Sequence, residues 1–210
     1  MPSEPAVKRV AAFVDGQNLF YAARDAFGYD YPNYDVLPLA KTVCCAKGWT
    51  LTDIRFYTGI PAPKHDPQKY HFWSEKLAAM GRKEICVYKR FLRYRRKVVN
   101  LHDGTEEILK VGQEKGIDIR IALDVIRLAH RKEYDVALLF SQDQDFSEVA
   151  DEIRAIAREQ NRWIKIACAF PFSPATVNTR GIDRTDWIKI DRATYDACLD
   201  HRDYRPKSNR

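Results

Sequence analysis

Three short stretches of this chain carry acid at or beside the end of an apolar run. "AAFVDGQN" closes on Asp15, "YDVALLFSQDQDF" closes on Asp143 and Asp145, and "GIDIRIALDVI" holds Asp118 and Asp124 among apolar neighbours. Several of these have a local explanation. Asp-Gly is a favoured turn, Asp145-Phe-Ser-Glu148 fits a capping box in which Glu148 reaches back, and Asp118 stands where a helix cap would. Asp143, between the strand end and that cap, has no such explanation. If Asp15, Asp118 and Asp143 converge, each pair about 4 Å apart repels by about 4 kcal/mol at an effective dielectric of about 20, and the cluster needs a cation. Oxygen donors without His or Cys select the hard ions Mg2+ or Mn2+. Such an ion activates water and neutralises charge on a phosphodiester, so hydrolysis of nucleic acid is the natural use.

Six residues separate Asp118 from Asp124, about 120° around a regular helix, so the two cannot both face one ion. Asp118, nearer the strand ends, is the expected ligand; Asp124 is a supporting residue or the partner of a nearby Arg. Asn18 either turns its amide toward Asp15 from the first helical turn or caps that helix. Ser141 either hydrogen-bonds a carboxylate or caps the strand end, and the sequence does not choose.

Positioning these residues is the task of an alternating pattern. Strands are predicted at 9–15, 49–59, 84–91, 134–141 and 163–170, and helices at 18–27, 34–48, 66–81, 116–132 and 145–161, with Asp66 capping and Pro67 opening the third helix. Alternation of this kind implies an α/β fold with a mostly parallel central sheet, helices on both faces, and sites at the carboxyl ends of the strands. Between Leu92 and Val111, "RYRRKVVNL" and "TEEILKV" read as a basic hairpin excursion joined by a turn at His102-Asp103-Gly104.

The segment from Arg82 to Lys97 has eight Lys or Arg against one Glu, with Tyr88, Phe91 and Tyr94 interleaved. Lys89, Arg90, Arg93, Arg95, Arg96 and Lys97 are the expected nucleic-acid-binding residues. In a strand, Arg93, Arg95 and Lys97 share one face, a ladder for a phosphate backbone. Phe91 on that face either stacks on a base or is buried in the core. A solvated edge strand guarded by positive charge is the plainer alternative for the whole segment.

At 210 residues the chain suits one domain, and 35 Lys and Arg against 29 Asp and Glu leave a net +6 that suits a polyanionic partner. We place an N-terminal extension at 1–8, the domain at 9–191 and a polar, basic tail at 192–210. The five cysteines form no C-x-x-C and read as reduced, mostly buried thiols, and the five histidines have no zinc-type spacing with them. No apolar stretch has the length of a membrane span and the start "MPSEPAVKRV" lacks a signal core, so the expected location is cytoplasmic, without membrane association.

The blocks "AAFVDGQNLF" (11–20), "EKGIDIRIALDVI" (114–126) and "YDVALLFSQDQDFSEVAD" (134–151), in that order, resemble the NYN domains, a branch of the PIN-like nuclease superfamily that includes the bacterial LabA-like proteins. The resemblance implies a PIN-like α/β fold, a divalent-metal site and ribonuclease activity. It points to Asp15, Asp118 and Asp143 as metal ligands, with Asn18 and Asp145 beside them as catalytic residues and Asp124 as a further acidic position. The family commonly has glycine where Gln142 stands here, which puts the local backbone geometry in question.

The resulting expectation is a Mg2+- or Mn2+-dependent ribonuclease acting on single-stranded or structured RNA; a homodimer or partner protein is left open. The main alternative is a non-catalytic RNA-binding or regulatory domain with a vestigial metal site. A sugar-nucleotide transferase using Asp143-Gln-Asp145 would leave Asp15 and Asp118 without a function. A P-loop nucleotidase is disfavoured because no G-x-x-x-x-G-K-[ST] occurs.

Overall fold

The computed structural model describes residues 2–100 and 106–206, with the backbone alone at 97, 99, 100, 106 and 107. In chain order the elements are β1 (Arg9–Asp15), α1 (Gly16–Phe27), α2 (Val36–Ala46), β2 (Thr50–Ile60), α3 (Pro67–Gly81), β3 (Cys86–Phe91), β4 (Arg93–Asn100), β5 (Glu106–Gln113), α4 (Ile117–His130), β6 (Val136–Phe140), α5 (Phe146–Glu159), β7 (Lys165–Pro171), β8 (Asp186–Ile190) and α6 (Arg192–Asp196). Six strands pair in the order β3-β2-β1-β6-β7-β8, every neighbour parallel, and β4 and β5 form a separate antiparallel hairpin. This is the expected α/β architecture with its hairpin excursion. The turn expected at His102-Asp103-Gly104 lies outside the described residues.

The central strands are apolar on both faces because both faces are covered. Val10, Ala12 and Val14 of β1, with Val136, Leu138 and Phe140 of β6, pack among α1, α2, α3 and α6. Ala11 and Phe13, with Ala137 and Leu139, pack among α4 and α5 on the other side. Alternation along β1 therefore assigns Asp15 to the α4 face. That placement follows directly from its odd-numbered apolar neighbours.

Local signals act largely as read. Asp66 accepts the Lys69 N–H at 2.9 Å and Pro67 opens α3. Gly16, expected in a turn, instead begins α1, pressed so closely on the Phe56 ring that a β-carbon would collide with it. All five cysteines are free thiols; Cys44, Cys168 and Cys198 are buried, and Cys45 and Cys86 are exposed.

The chain beyond Ile190, read from sequence as a polar tail, forms α6 and then packs against the body as far as Tyr204. Tyr195 and Tyr204 are buried. Lys76 of α3 is 1% exposed; its ammonium donates to Asp200 Oδ2 at 3.1 Å and to the Tyr34 carbonyl at 3.0 Å, and Tyr204 donates to the same Asp200 oxygen at 2.7 Å. A buried lysine needs such partners, and here the segment after α6 supplies them. No helix among the described residues is long and apolar enough to cross a membrane.

Candidate functional site

At the carboxyl edge of the sheet, Asp15, Asp118 and Asp143 line one cavity of about 300 Å³, together with Asn18, Glu114 and Lys115. Three segments far apart in sequence thus deliver their acids to one place. Asp15 ends β1, and its Oδ1 accepts the Asn18 N–H at 3.0 Å, so this carboxylate caps α1 while facing the cavity. Asn18, left open between cap and site, is not the cap: its own Oδ1 accepts the Gln142 N–H at 2.9 Å and ties the end of β1 to the end of β6.

Asp118 lies in the first turn of α4, whose N-cap is Gly116 at φ 76° with no side-chain cap. Capping therefore does not account for Asp118, although the first turn suits its charge. Gly116 is required by its left-handed backbone, and Arg90 Nη1 lies close against it, 2.5 Å from where a β-carbon would stand.

Asp143 stands one residue beyond Gln142, at the start of a tight turn. Its N–H is taken by Ser141 Oγ at 3.2 Å, and its Oδ1 accepts the Asp145 N–H at 3.1 Å. The capping box expected at Asp145 is absent. Asp145 already has helical backbone angles and makes no side-chain cap, and its own N–H, to which Glu148 would have reached back, is taken by Asp143. Asp145 is exposed and is not among the residues lining the cavity. The structure thus brings Asp143 to the pocket and leaves Asp145 outside it.

Glu114 is the acid that sequence reasoning missed. It follows β5, lines the cavity, and accepts the Gly59 N–H from the end of β2. The signal was available, since Glu114 opens the block "EKGIDIRIALDVI", but a glutamate between a basic hairpin and a helix reads as ordinary surface charge.

Burial and the charge of neighbouring carboxylates make two of these acids, Asp15 and Glu114, reluctant to ionise. Burial pushes the Asp15 carboxyl up to about 6, with the charges of Asp143 and Asp118 adding to it and the Asn18 and Gln17 N–H groups opposing. Glu114 is pushed up to about 7, by burial first and then by the charges of Asp15 and Asp118, against the Gly59 N–H. Among the described residues, no group of three or more Asp, Glu, His or Cys side chains is drawn together as a metal-holding cluster. The carboxylates share a pocket without closing on one point.

Asp124 lies elsewhere. Its buried carboxylate receives Tyr57 OH at 2.9 Å, Arg120 Nε at 3.0 Å and Arg127 Nη2 at 2.8 Å, the salt-bridge alternative for this residue. Gln142, where the resemblance implied glycine, has no positive φ. Its buried amide donates to the carbonyls of Asn178 at 3.0 Å and Arg180 at 2.7 Å, and Gln144 donates to that of Gly181 at 2.8 Å. The two glutamines flanking Asp143 thus fasten the loop that follows β7.

The basic segment divides into two parts. Arg93, Arg95 and Arg96 lie exposed on β4, with Arg93 and Arg95 on one face; the Lys97 side chain lies outside the described residues. Phe91 does not continue that face, because it ends β3 in the main sheet. It is 58% exposed, its ring 6.4 Å from that of Tyr70 on α3, so core burial is not its fate. Lys89 is also exposed and shares the parity of Val87, which packs on the α3 side. Arg90 has the opposite parity: Nε donates to Tyr88 OH at 2.8 Å and Nη1 approaches the Lys115 carbonyl at 3.5 Å, beside the cavity.

Residues 9–168 match the family model described as NYN domain, and the chain belongs to that family. It is 26% identical over 147 residues to the Low amplitude and bright protein LabA of Synechococcus elongatus, a match covering 70% of this chain and 68% of LabA. The solved structure of a protein of unknown function from Vibrio parahaemolyticus aligns with 94% of this chain and 99% of its own, at 21% identity and a TM-score of 0.49. The six-stranded parallel sheet with helices on both faces is consistent with the PIN-like fold of NYN domains.

Proposed function

We propose that the protein is a divalent-metal-dependent ribonuclease whose site is the pocket of Asp15, Asp118, Asp143 and Glu114. The observation that carries this reading is the convergence of acids from β1, the β5–α4 connection, α4 and the end of β6 on one cavity. Membership in a family of the PIN-like nuclease superfamily supports it. The donor set is oxygen-only and self-repelling, which suits a hard cation, Mg2+ or Mn2+, held through a few carboxylates and several waters. When bound, that cation supplies a Lewis acid that offsets charge building on the phosphodiester and eases deprotonation of the attacking water.

This chain's residues supply the remainder. Asp15 and Asp118 hold negative charge at fixed places, one as the cap of α1 and the other in the first turn of α4. Asp143 is aimed by Ser141 from behind and by the Asp145 N–H. Asn18 keeps the ends of β1 and β6 in register, so Asp15 and Asp143 keep their spacing. Glu114, lining the cavity and fixed by the Gly59 N–H, is the residue placed to take a proton from water or return one to the leaving oxygen. The arginines of β3 and β4 attract the RNA strand.

The test is cleavage of labelled RNA in Mn2+ by wild type and Asp143→Asn. Metal-dependent cutting by wild type that the substitution abolishes is expected; equal activity in the two sinks the assignment. A second reading is favoured by one observation, that the described carboxylates do not close into a metal-holding cluster. On that reading the domain binds RNA, with a steep salt dependence, and shows no turnover at any divalent-ion concentration.

A further inference from the structure

The acidic pocket must admit a polyanion, so cations are needed on its rim. The candidates do not all face it. Asp15, Tyr57 and Tyr88 form one row across β1, β2 and β3. Tyr88 packs with the α4 layer and Val87 with the opposite one. By alternation Arg90 falls on the pocket side, and Lys89 and Phe91 fall on the α3 side. Side-chain contacts agree, since Arg90 lies against Gly116 of the pocket wall and Phe91 lies near Tyr70. Of the two cations on β3, Lys89 therefore points away from the chemistry.

Two cations that the basic segment does not contain stand on the pocket side. Lys115 is exposed and lines the cavity between Glu114 and Gly116. Arg120, one turn into α4, lies over the Tyr88 ring at 5.0 Å, and its Nε is held by Asp124. Arg90 lies over the same ring at 5.6 Å. The Tyr88 hydroxyl and the Lys115 carbonyl use only part of the Arg90 guanidinium, and its remaining N–H groups are available to a phosphate. Asp124, buried against Tyr57, thus acts at a distance by fixing Arg120.

We infer that single-stranded RNA reaches the pocket along the α4 side of the sheet edge. Arg90 and Lys115 are the phosphate-binding pair at the rim, Arg120 adds charge behind them, and Lys89 and Phe91 lie off the path. The path rests on the pocket being an RNA site, and it adds the route and two residues, Lys115 and Arg120, to that reading.

The test is fluorescence anisotropy of a labelled single-stranded RNA with the full chain in chelator, where cutting plays no part. Wild type is compared over a range of salt with Arg90→Gln, Lys115→Gln and Lys89→Gln, each first verified as folded by its denaturation midpoint. Each rim substitution is expected to weaken binding severalfold and to flatten the slope of log affinity against log salt by about 0.7, one phosphate contact on a single strand. Lys89→Gln, which removes the same charge from the other face, is expected to have the smaller effect on both. Equal losses for Lys89→Gln and Arg90→Gln, an unchanged slope in both rim variants, or no RNA binding by wild type overturns the path. The path and the nuclease reading fail separately. Binding that depends on Arg90 and Lys115 without any Mn2+-dependent cutting refutes only the nuclease, and cutting with unaltered affinity in both variants refutes only the path.

Discussion

Replacing Asp15 by asparagine should make the metal-free protein more stable at alkaline pH. Asp15 is 7% exposed, and its carboxyl is moved from the ordinary 3.8 to about 6 by burial and by the charges of Asp143 and Asp118. Holding such a group ionised in the folded state costs about 3 kcal/mol once the pH is above both values. The sign follows from proton counting. Between about 4 and about 6 the folded chain binds more protons than the unfolded one, so stability falls as pH rises through that window. Below it the cost is absent. Asparagine stays neutral throughout, and its Oδ1 can still take the Asn18 N–H at 3.0 Å, so the cap of α1 is kept. Denaturant unfolding in chelator should therefore show Asp15→Asn about 2–3 kcal/mol more stable than wild type at pH 8, with the difference nearly gone at pH 4. With Mn2+ added, wild type should recover stability and the variant should not. An advantage of the same size at both pH values, or none at pH 8, would refute the reasoning.

Other perturbations probe the supports of the site. Gln142→Gly removes the two bonds to the Asn178 and Arg180 carbonyls, and should cost about 1–3 kcal/mol in denaturant unfolding and expose residues 174–180 to limited proteolysis. Asp124→Asn leaves Arg120 and Arg127 without their carboxylate; because these arginines are 35% and 44% exposed, a loss of about 2 kcal/mol is expected, with Mn2+ affinity by calorimetry retained. Asp200→Asn strands the Lys76 ammonium, whose side chain is 1% exposed, and should lower stability by about 2–4 kcal/mol, a loss that a loosely attached tail would not produce.

How much could be read in advance depended on how local the determinant was. The parallel sheet and the places of Asp15 and Asp143 at its edge were legible because apolar runs ending in acid report both strand and edge; that Asp118, in the first turn of α4, meets them stood only as a condition. Asp66 and Pro67 marked the start of α3 because caps act within one turn. Asp145 misled for the opposite reason: its capping box looked complete, yet the Asp143 carboxylate reached the free N–H first, a competition that spacing alone does not resolve. Strand β8 and helix α6 were missed because their burial depends on distant partners, such as the pairing of β8 with β7 and the hydrogen bond from Tyr195 of α6 to Asn33. Glu114 was hidden because its environment is made by Gly59, on another strand. In Gln142, the departure from glycine proved compatible with the local backbone, and only the Asn178 and Arg180 carbonyls explain why a buried amide is accommodated there.

The central claim is that this pocket holds a divalent cation used on RNA. Anomalous diffraction at the manganese edge from Mn2+-soaked crystals tests it most directly. The account predicts a peak among Asp15, Asp118 and Asp143, with Glu114 within reach directly or through water, and its loss in Asp143→Asn. Well-diffracting soaked crystals with no peak in that pocket, or with manganese bound only elsewhere, would contradict it.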